Sequence, residues 1–498
     1  MSSSPDLDLV ARVAAHGDRT AIVAAEGVFT YAQLDDASAR VAAALANGRD
    51  DLAGERVAFL SPAGFLYVAT LLGIWRAGAV AVPLAPVQAG PEWEYILADS
   101  SATMAAARSD LAERLAPLAD ARNVRLVRTS DLASAPRRDL PHVAADRRAL
   151  ILYTSGTTSR PKGVVMTHAN IQAQVRTLVR AWAWTSGDRI LHVLPLNHVH
   201  GIINALLCAL WSGAVCEMQP KFDAARVWSR FSDADLTLFM AVPTIYAKLM
   251  TFWETAELAR REAMSAGCRA LRLMVSGSAA LPVSVLEKWR AISGHVLLER
   301  YGMTEIGMAL SNPLGGERRP GYVGQPLPGV DVRLVDDDGR PVPAGTPGEI
   351  EVRGPSVFLE YWGRADATRD AFRDGWFRTG DVAVVEDGAH RILGRRSVDI
   401  IKTGGEKVSA LEIEEVLRTH PDVRECAVVG VPDQEWGERV CAALLANPEA
   451  ALTVESLRAW AKDRLAPAKV PSRIRLVTDL PRNTMGKVTK PGVRQLFE

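Results

Sequence analysis

The feature that most restricts the fold is a change of apolar period along one stretch of chain. Ala149-Leu150-Ile151-Leu152-Tyr153 is a continuous apolar run, as expected of a buried strand. After a polar, glycine-containing turn, Ile171, Val175, Leu178 and Trp182 recur at 4-3-4 spacing, which is one face of a helix. Strand, loop and helix in that order predict α/β layering, and most of the first 390 residues repeat the alternation. A further strand is predicted over His295–Tyr301, with Val296, Leu298 and Arg300 on one face.

Length and charge narrow the classes. At about 150 residues per domain, 498 residues suggest roughly three domains. Lys plus Arg (58) equals Asp plus Glu (58), which argues against bulk binding of nucleic acid or anionic membrane. The longest uncharged stretch, Ile190–Cys216, is interrupted by His192, Pro195, Asn197, His198 and His200, so no membrane span is expected. The five cysteines are scattered, with no C-x-x-C pair. They read as reduced thiols of a cytoplasmic protein rather than a disulfide framework or zinc site. The N-terminus has neither a signal nor a transit pattern, and no obligate protein partner is evident.

Two regions change character. Gly315–Phe372 is rich in Gly and Pro, with short runs such as Val332–Val335 and Glu349–Val352, the pattern of a small β-rich subdomain. Beyond about Gly394 the text is α+β. Ser409-x-x-Glu412 fits a capping box, and Leu457, Trp460, Ala461 and Leu465 mark a second helix. Arg395–Asp399 is the candidate interdomain hinge.

The sharpest chemical signal is Tyr153-Thr154-Ser155-Gly156-Thr157-Thr158-Ser159-Arg160-Pro161-Lys162-Gly163. Hydroxyls, small residues and one lysine between a strand and a helix can present N–H groups, O–H donors and a cation to a polyphosphate. The spacing is not that of a Walker A loop. On composition alone a Ser/Thr-rich surface loop is the competing reading.

Six further stretches follow in order: Pro195–Gly201, Tyr301–Glu305, Gly375–Asp381, Gly394-Arg395, Ile401–Gly405 and Pro481–Lys487. With the loop, this ordered set resembles the adenylate-forming superfamily of acyl-CoA synthetases, peptide-synthetase adenylation domains and luciferases, over nearly the whole chain. The resemblance implies a large N-terminal domain, residues 1–395, of layered α/β subdomains with a β-rich subdomain at about 315–395. A small mobile α+β domain, residues 396–498, follows. It also implies ATP, Mg²⁺ and coenzyme A as cofactors.

Roles carried over by resemblance are as follows. Thr154, Ser155, Gly156, Thr157, Thr158 and Lys162 would hold the β- and γ-phosphates. Glu305, with Thr154, would hold Mg²⁺, and Thr304 would touch the α-phosphate. Tyr301 would stack on adenine, while Asp381 would accept from the ribose hydroxyls with Arg395 beside it. Lys487 would stabilise charge developing at the reacting carboxylate. The small domain would turn about Ser397, and Gly404 and Gly405 would line the pantetheine tunnel, where a missing Cβ admits close backbone approach.

Arg300 stands where many relatives carry a small residue. A buried guanidinium is best matched by a bidentate carboxylate. Either the substrate supplies a second carboxylate or an internal acid such as Glu299 or Glu317 does. His198–Leu207, Val275–Pro282, Leu298–Glu305 and Ser397–Gly405 resemble malonyl-CoA synthetases. That resemblance implies a small dicarboxylate pocket bordered by His198, Ser276, Arg300 and Met303, with Arg272 and Arg319 as the next cations to consider. Methylmalonate, one methyl larger, differs by only about 1–3 kcal/mol. A ligase for another small or branched acid, an adenylation enzyme loading a carrier protein in trans, and a non-catalytic adenylate-binding protein remain alternatives. Ser159, where Gly is usual, and Glu406, where Tyr is common, depart from the pattern and are expected to alter kinetics.

Overall fold

The structure is a computed structural model that describes residues 8–154, 160–447, 450, 452–482 and 488–498. Two large mixed sheets carry the N-terminal part. In the seven-stranded sheet, Arg148–Thr154 lies between Val80–Leu84, to which it runs parallel, and Lys162–Thr167, to which it is antiparallel. In the nine-stranded sheet, Leu298–Met303 pairs in parallel with Leu273–Ser276 and antiparallel with Gly307–Ser311. These strands are buried because helices cover them. Tyr31–Ala46 begins at a reciprocal cap: Thr30 Oγ1 accepts from Gln33 N, while Gln33 Oε1 accepts from Thr30 N. It ends where Asn47 turns left-handed, at φ +48°.

The phosphate-loop segment departs from expectation. The chain does not pass from the loop straight into a helix; it first makes the strand Lys162–Thr167. Val164, Val165 and Met166 form a short apolar run that extends naturally against Arg148–Thr154. Only then does Thr167 cap the helix His168–Ala181, whose buried residues include Ile171, Val175 and Leu178. The other predicted strand also starts later, at Leu298 rather than His295.

A third sheet is built from Asp331–Val335, Gly348–Arg353, Phe372–Arg373, Trp376–Glu386 and Ala389–Arg395. After the turn at 396–399, a fourth sheet and its helices make two apolar clusters whose buried members run from Ile401 to Val493. These clusters take no residue from before position 401. Ser409 caps the helix Ala410–Arg418 by accepting from Glu412 N at 3.1 Å. The reciprocal half of the expected capping box is missing, because the Glu412 carboxylate pairs with Lys469 Nζ at 2.6 Å. Leu457 and Ala461 are buried on the helix Val454–Lys462, as their spacing predicts, but the helix ends before Leu465, which is buried beyond its C-cap at Asp463. All five cysteines are free and buried, and among the described residues no helix is long and apolar enough to cross a membrane.

The helices Tyr31–Ala46 and Phe65–Arg76 approach closely at Gly73, where a Cβ would stand 2.4 Å from Val41 Cγ1 and 2.9 Å from Ser38 O. Gly73→Ala should therefore destabilise the protein by about 1–3 kcal/mol through overpacking, despite alanine's better helix propensity of about 1 kcal/mol. Urea unfolding measures this, and a stabilised variant would contradict it.

Candidate active site

The strand Leu298–Met303 and the turn after it organise the candidate site. Side chains alternate across a strand, so Glu299 and Arg300 face opposite ways. At one end, Arg300 is buried, at 3 % exposure, and its guanidinium lies over Gly277, where a Cβ would come within 2.5 Å of Cζ. Arg300 Nη2 donates to Ser278 Oγ at 3.3 Å, and that hydroxyl lies 3.2 Å from His200 Nδ1. Arg300 Nε and the Ser276 hydroxyl are buried without a hydrogen-bond partner. Burial pushes the Arg300 pKa down, opposed by the nearby charge of Glu299.

Among the described residues no carboxylate forms an ion pair with Arg300, so neither Glu299 nor Glu317 fills the role of internal partner. Glu299 faces the other way, where its Oε1 accepts from Leu281 N at 3.2 Å. The other two cations named from sequence are committed elsewhere. Arg272 grips Asp188 with two bonds of 2.7 and 2.8 Å, and Arg319 pairs with Asp387 over the Tyr322 ring.

At the opposite end, Asp381 and Arg395 are register partners on adjacent antiparallel strands. Tyr301 Oη donates to Asp381 Oδ2 at 2.7 Å, and Arg395 Nε lies 3.6 Å from Asp381 Oδ1. Burial raises the Asp381 pKa, while Arg395 and Tyr301 pull it back. Thr154 ends its strand opposite Lys162, bringing the two stems of the hydroxyl-rich loop together. Ser155, Gly156, Thr157, Thr158 and Ser159 lie outside the described residues, as does Lys487.

Glu305 is buried, and Tyr361 Oη donates to its Oε1 at 2.9 Å. Lys162 Nζ stands 4.9 Å from the centre of the Tyr361 ring. Burial raises the Glu305 pKa, opposed by Tyr361, Arg395 and Lys162. The oxygen donors of Glu305 and Thr154 suit a hard cation such as Mg²⁺. Among the described residues no group of three or more His, Cys, Asp or Glu side chains forms a cage.

The remaining candidates are more dispersed. His198 is half-buried just before the π-helical segment His200–Leu207, Met303 packs on the main core, and Thr304 is half-buried in the turn before Glu305. Gly404 and Gly405, with φ of +55° and +85°, form the hairpin turn between Ile400–Thr403 and Glu406–Ser409. Gly404 N donates there to Trp436 O at 2.9 Å. Ser397 is exposed in the 396–399 turn. Arg396, before it, pairs with Asp337 and Glu349, and Asp399, after it, accepts from Arg395 N.

Sequence reasoning missed Tyr361, Ser278 and Asn204. The Asn204 amide is fully buried in the π-helical segment without a partner. The π-helix itself, a form frequent at functional sites, has no signature in the apolar spacing. Ser278 is the one of the three with a local signal, since it lies in the small-residue run after Val275.

Residues 9–362 match the family model described as AMP-binding enzyme, and residues 412–487 match the AMP-binding enzyme C-terminal domain. The chain belongs to the AMP-binding enzyme family. It is 46% identical to the mitochondrial malonate–CoA ligase of Mus musculus, covering 98% of this chain and 90% of that one. It is 40% identical to the malonate–CoA ligase of Arabidopsis thaliana, over 97% of this chain and 86% of that one. ATP-bound MatB from Rhodopseudomonas palustris superposes with a TM-score of 0.91 at 34% identity, over 99% of both chains.

The buried Glu299 has a measurable signature. Burial, with Glu415 nearby, raises its pKa from an ordinary carboxylate value to about 8. Between those values the folded state holds a proton that the unfolded state has released, so this group's contribution to stability falls as pH rises from 5 to 8. Relative to wild type, Glu299→Gln should gain melting temperature progressively over that window, while keeping the acceptor for Leu281 N. A difference independent of pH would contradict it.

Proposed function

We propose that this protein is an ATP-dependent acid–CoA ligase whose acid is malonate. It would convert malonate, ATP and coenzyme A to malonyl-CoA, AMP and diphosphate through a malonyl-adenylate. The observation that carries the acid assignment is Arg300: a buried guanidinium with no carboxylate ion-pair partner among the described residues. The distal carboxylate of a diacid supplies the missing charge. Ser276, His198 and Met303 border the same pocket in this reading. The malonate–CoA ligase relatives point the same way.

In the first half-reaction, a carboxylate oxygen of the acid attacks the α-phosphorus of ATP and the bond to the diphosphate breaks. Positioning and charge neutralisation supply the acceleration. We assign the β- and γ-phosphates to Thr154, Ser155, Gly156, Thr157, Thr158 and Lys162. Thr304 is assigned to the α-phosphate, and Lys487 to the charge growing on the reacting oxygens. Tyr301 takes adenine, while Asp381, steadied by Arg395, accepts from the ribose. Bound at Glu305 and Thr154, Mg²⁺ would neutralise phosphate charge. In the second half-reaction the coenzyme A sulfur attacks the adenylate carbonyl and AMP leaves.

Residues 1–395 form the ATP- and acid-binding unit in this reading, and residues 396–498 the mobile unit that turns at Ser397. Gly404 and Gly405 then face the pantetheine arm. The self-contained apolar clusters after position 401 support that division. The buried free cysteines support a reducing compartment, which we take as the cytoplasm.

Malonate-dependent diphosphate exchange with ATP, followed by thioester formation with coenzyme A against a carrier protein, tests the assignment. Robust turnover of butyrate with no response to malonate would overturn it. Loss of a buried charge pair costs about 3–5 kcal/mol. Arg300→Ala should therefore lower kcat/KM for malonate by about two to four decades and shift preference toward monocarboxylates. An unchanged substrate ranking would refute the role. Lys487→Ala should suppress adenylation far more than thioester formation from supplied malonyl-adenylate, and equal losses would contradict the two-step division.

A further inference from the structure

Glu305 and Lys162 carry opposite charges on neighbouring elements, yet the two do not form an ion pair; Tyr361 contacts both. Its hydroxyl donates to Glu305 Oε1 at 2.9 Å, and its ring face lies under Lys162 Nζ at 4.9 Å. The segment that carries the ring is tied down by several short-range contacts. Glu360–Tyr361 is a short strand antiparallel to Lys162–Thr167, with Tyr361 opposite Val164. Trp362 N donates to Gly163 O at 2.8 Å, and Phe358 N donates to Glu305 O at 2.7 Å. One segment is thus stapled both to the strand that begins at Lys162 and to the backbone of Glu305 itself. Tyr361 N also donates to Thr368 Oγ1 at 3.0 Å, and the Phe358 ring meets the tyrosine edge to face at 4.8 Å.

We propose that Tyr361 is a positioning residue that keeps Lys162 and Glu305 apart and orients each toward MgATP. A direct ion pair would satisfy both charges internally and leave neither for the ligand. A neutral hydroxyl satisfies one lone pair of a buried carboxylate without cancelling its charge. An aromatic face holds an ammonium loosely enough for phosphate to claim it. The inference rests on the assignment of Glu305 to Mg²⁺ and of Lys162 to the phosphates.

Calorimetric titration of the full-length protein with ATP, with Mg²⁺ and then with chelator, tests it. Tyr361→Phe keeps the ring and removes the donor. A hydrogen bond to a charged group is worth enough that affinity for MgATP should fall by about tenfold, while affinity for metal-free ATP stays as in wild type. Tyr361→Leu removes the spacer and frees Lys162 to pair with Glu305, so metal-free ATP binding should weaken as well. Melting curves confirm that each variant is folded. Equal affinities of Tyr361→Phe and wild type for MgATP, or equal losses with and without metal, would overturn the orienting role. Unchanged metal-free binding in Tyr361→Leu would overturn the spacer role. Glu305→Gln separates the two levels. If it leaves the Mg²⁺ dependence intact, the metal assignment fails and the inference with it; if it abolishes that dependence while Tyr361→Phe does not, only the inference fails.

Discussion

Arg300 is a guanidinium buried on a sheet strand with no carboxylate ion-pair partner among the described residues, and that imbalance shapes the candidate site around it. An uncompensated buried charge is costly. Here it is tolerated by packing against a residue without a side chain, Gly277, and by one hydroxyl, Ser278. The neighbouring acid Glu299 is the nearest source of relief, yet strand alternation sends it to the opposite face. Internal neutralisation is thereby refused, and an anionic ligand becomes the natural complement.

The same strand leads from Arg300 to the second group of candidate residues. Arg300 is followed directly by Tyr301, which donates to Asp381, and then by the turn that presents Thr304 and Glu305. The residues proposed to read the acid and to face the nucleotide therefore share one backbone segment, held between parallel and antiparallel neighbours. Sites mounted on strands hold their geometry better than sites mounted on loops. The arrangement suits a reaction that depends on bringing a carboxylate and an α-phosphate into line.

Charge separation recurs around Tyr361. The charges of Lys162 and Arg395 both act on Glu305, and Tyr361 contacts Lys162 and Glu305 without being charged itself. At the 396–399 turn the charges pair directly, with Arg396 bound to Asp337 and Glu349 and Asp399 accepting from Arg395 N. Strong pairing anchors the flanks of a turn, while withheld pairing leaves side chains available to a ligand.

The linear text determined the α/β layering, the order of the motifs and the presence of an odd cation at position 300, because apolar period and residue type are local properties. It also located the helix Ala410–Arg418 and its serine cap, though not the diversion of Glu412 to Lys469. What only the tertiary structure decided are the contacts and pairings between separate elements. Examples are Tyr361 on Glu305, Asp381 opposite Arg395, Gly277 beneath Arg300 and the strand inserted between the phosphate loop and its helix. Periodicity says which way a side chain faces its own element. Which distant residue waits there depends on how sheets stack and register, and that is settled only when the whole chain packs.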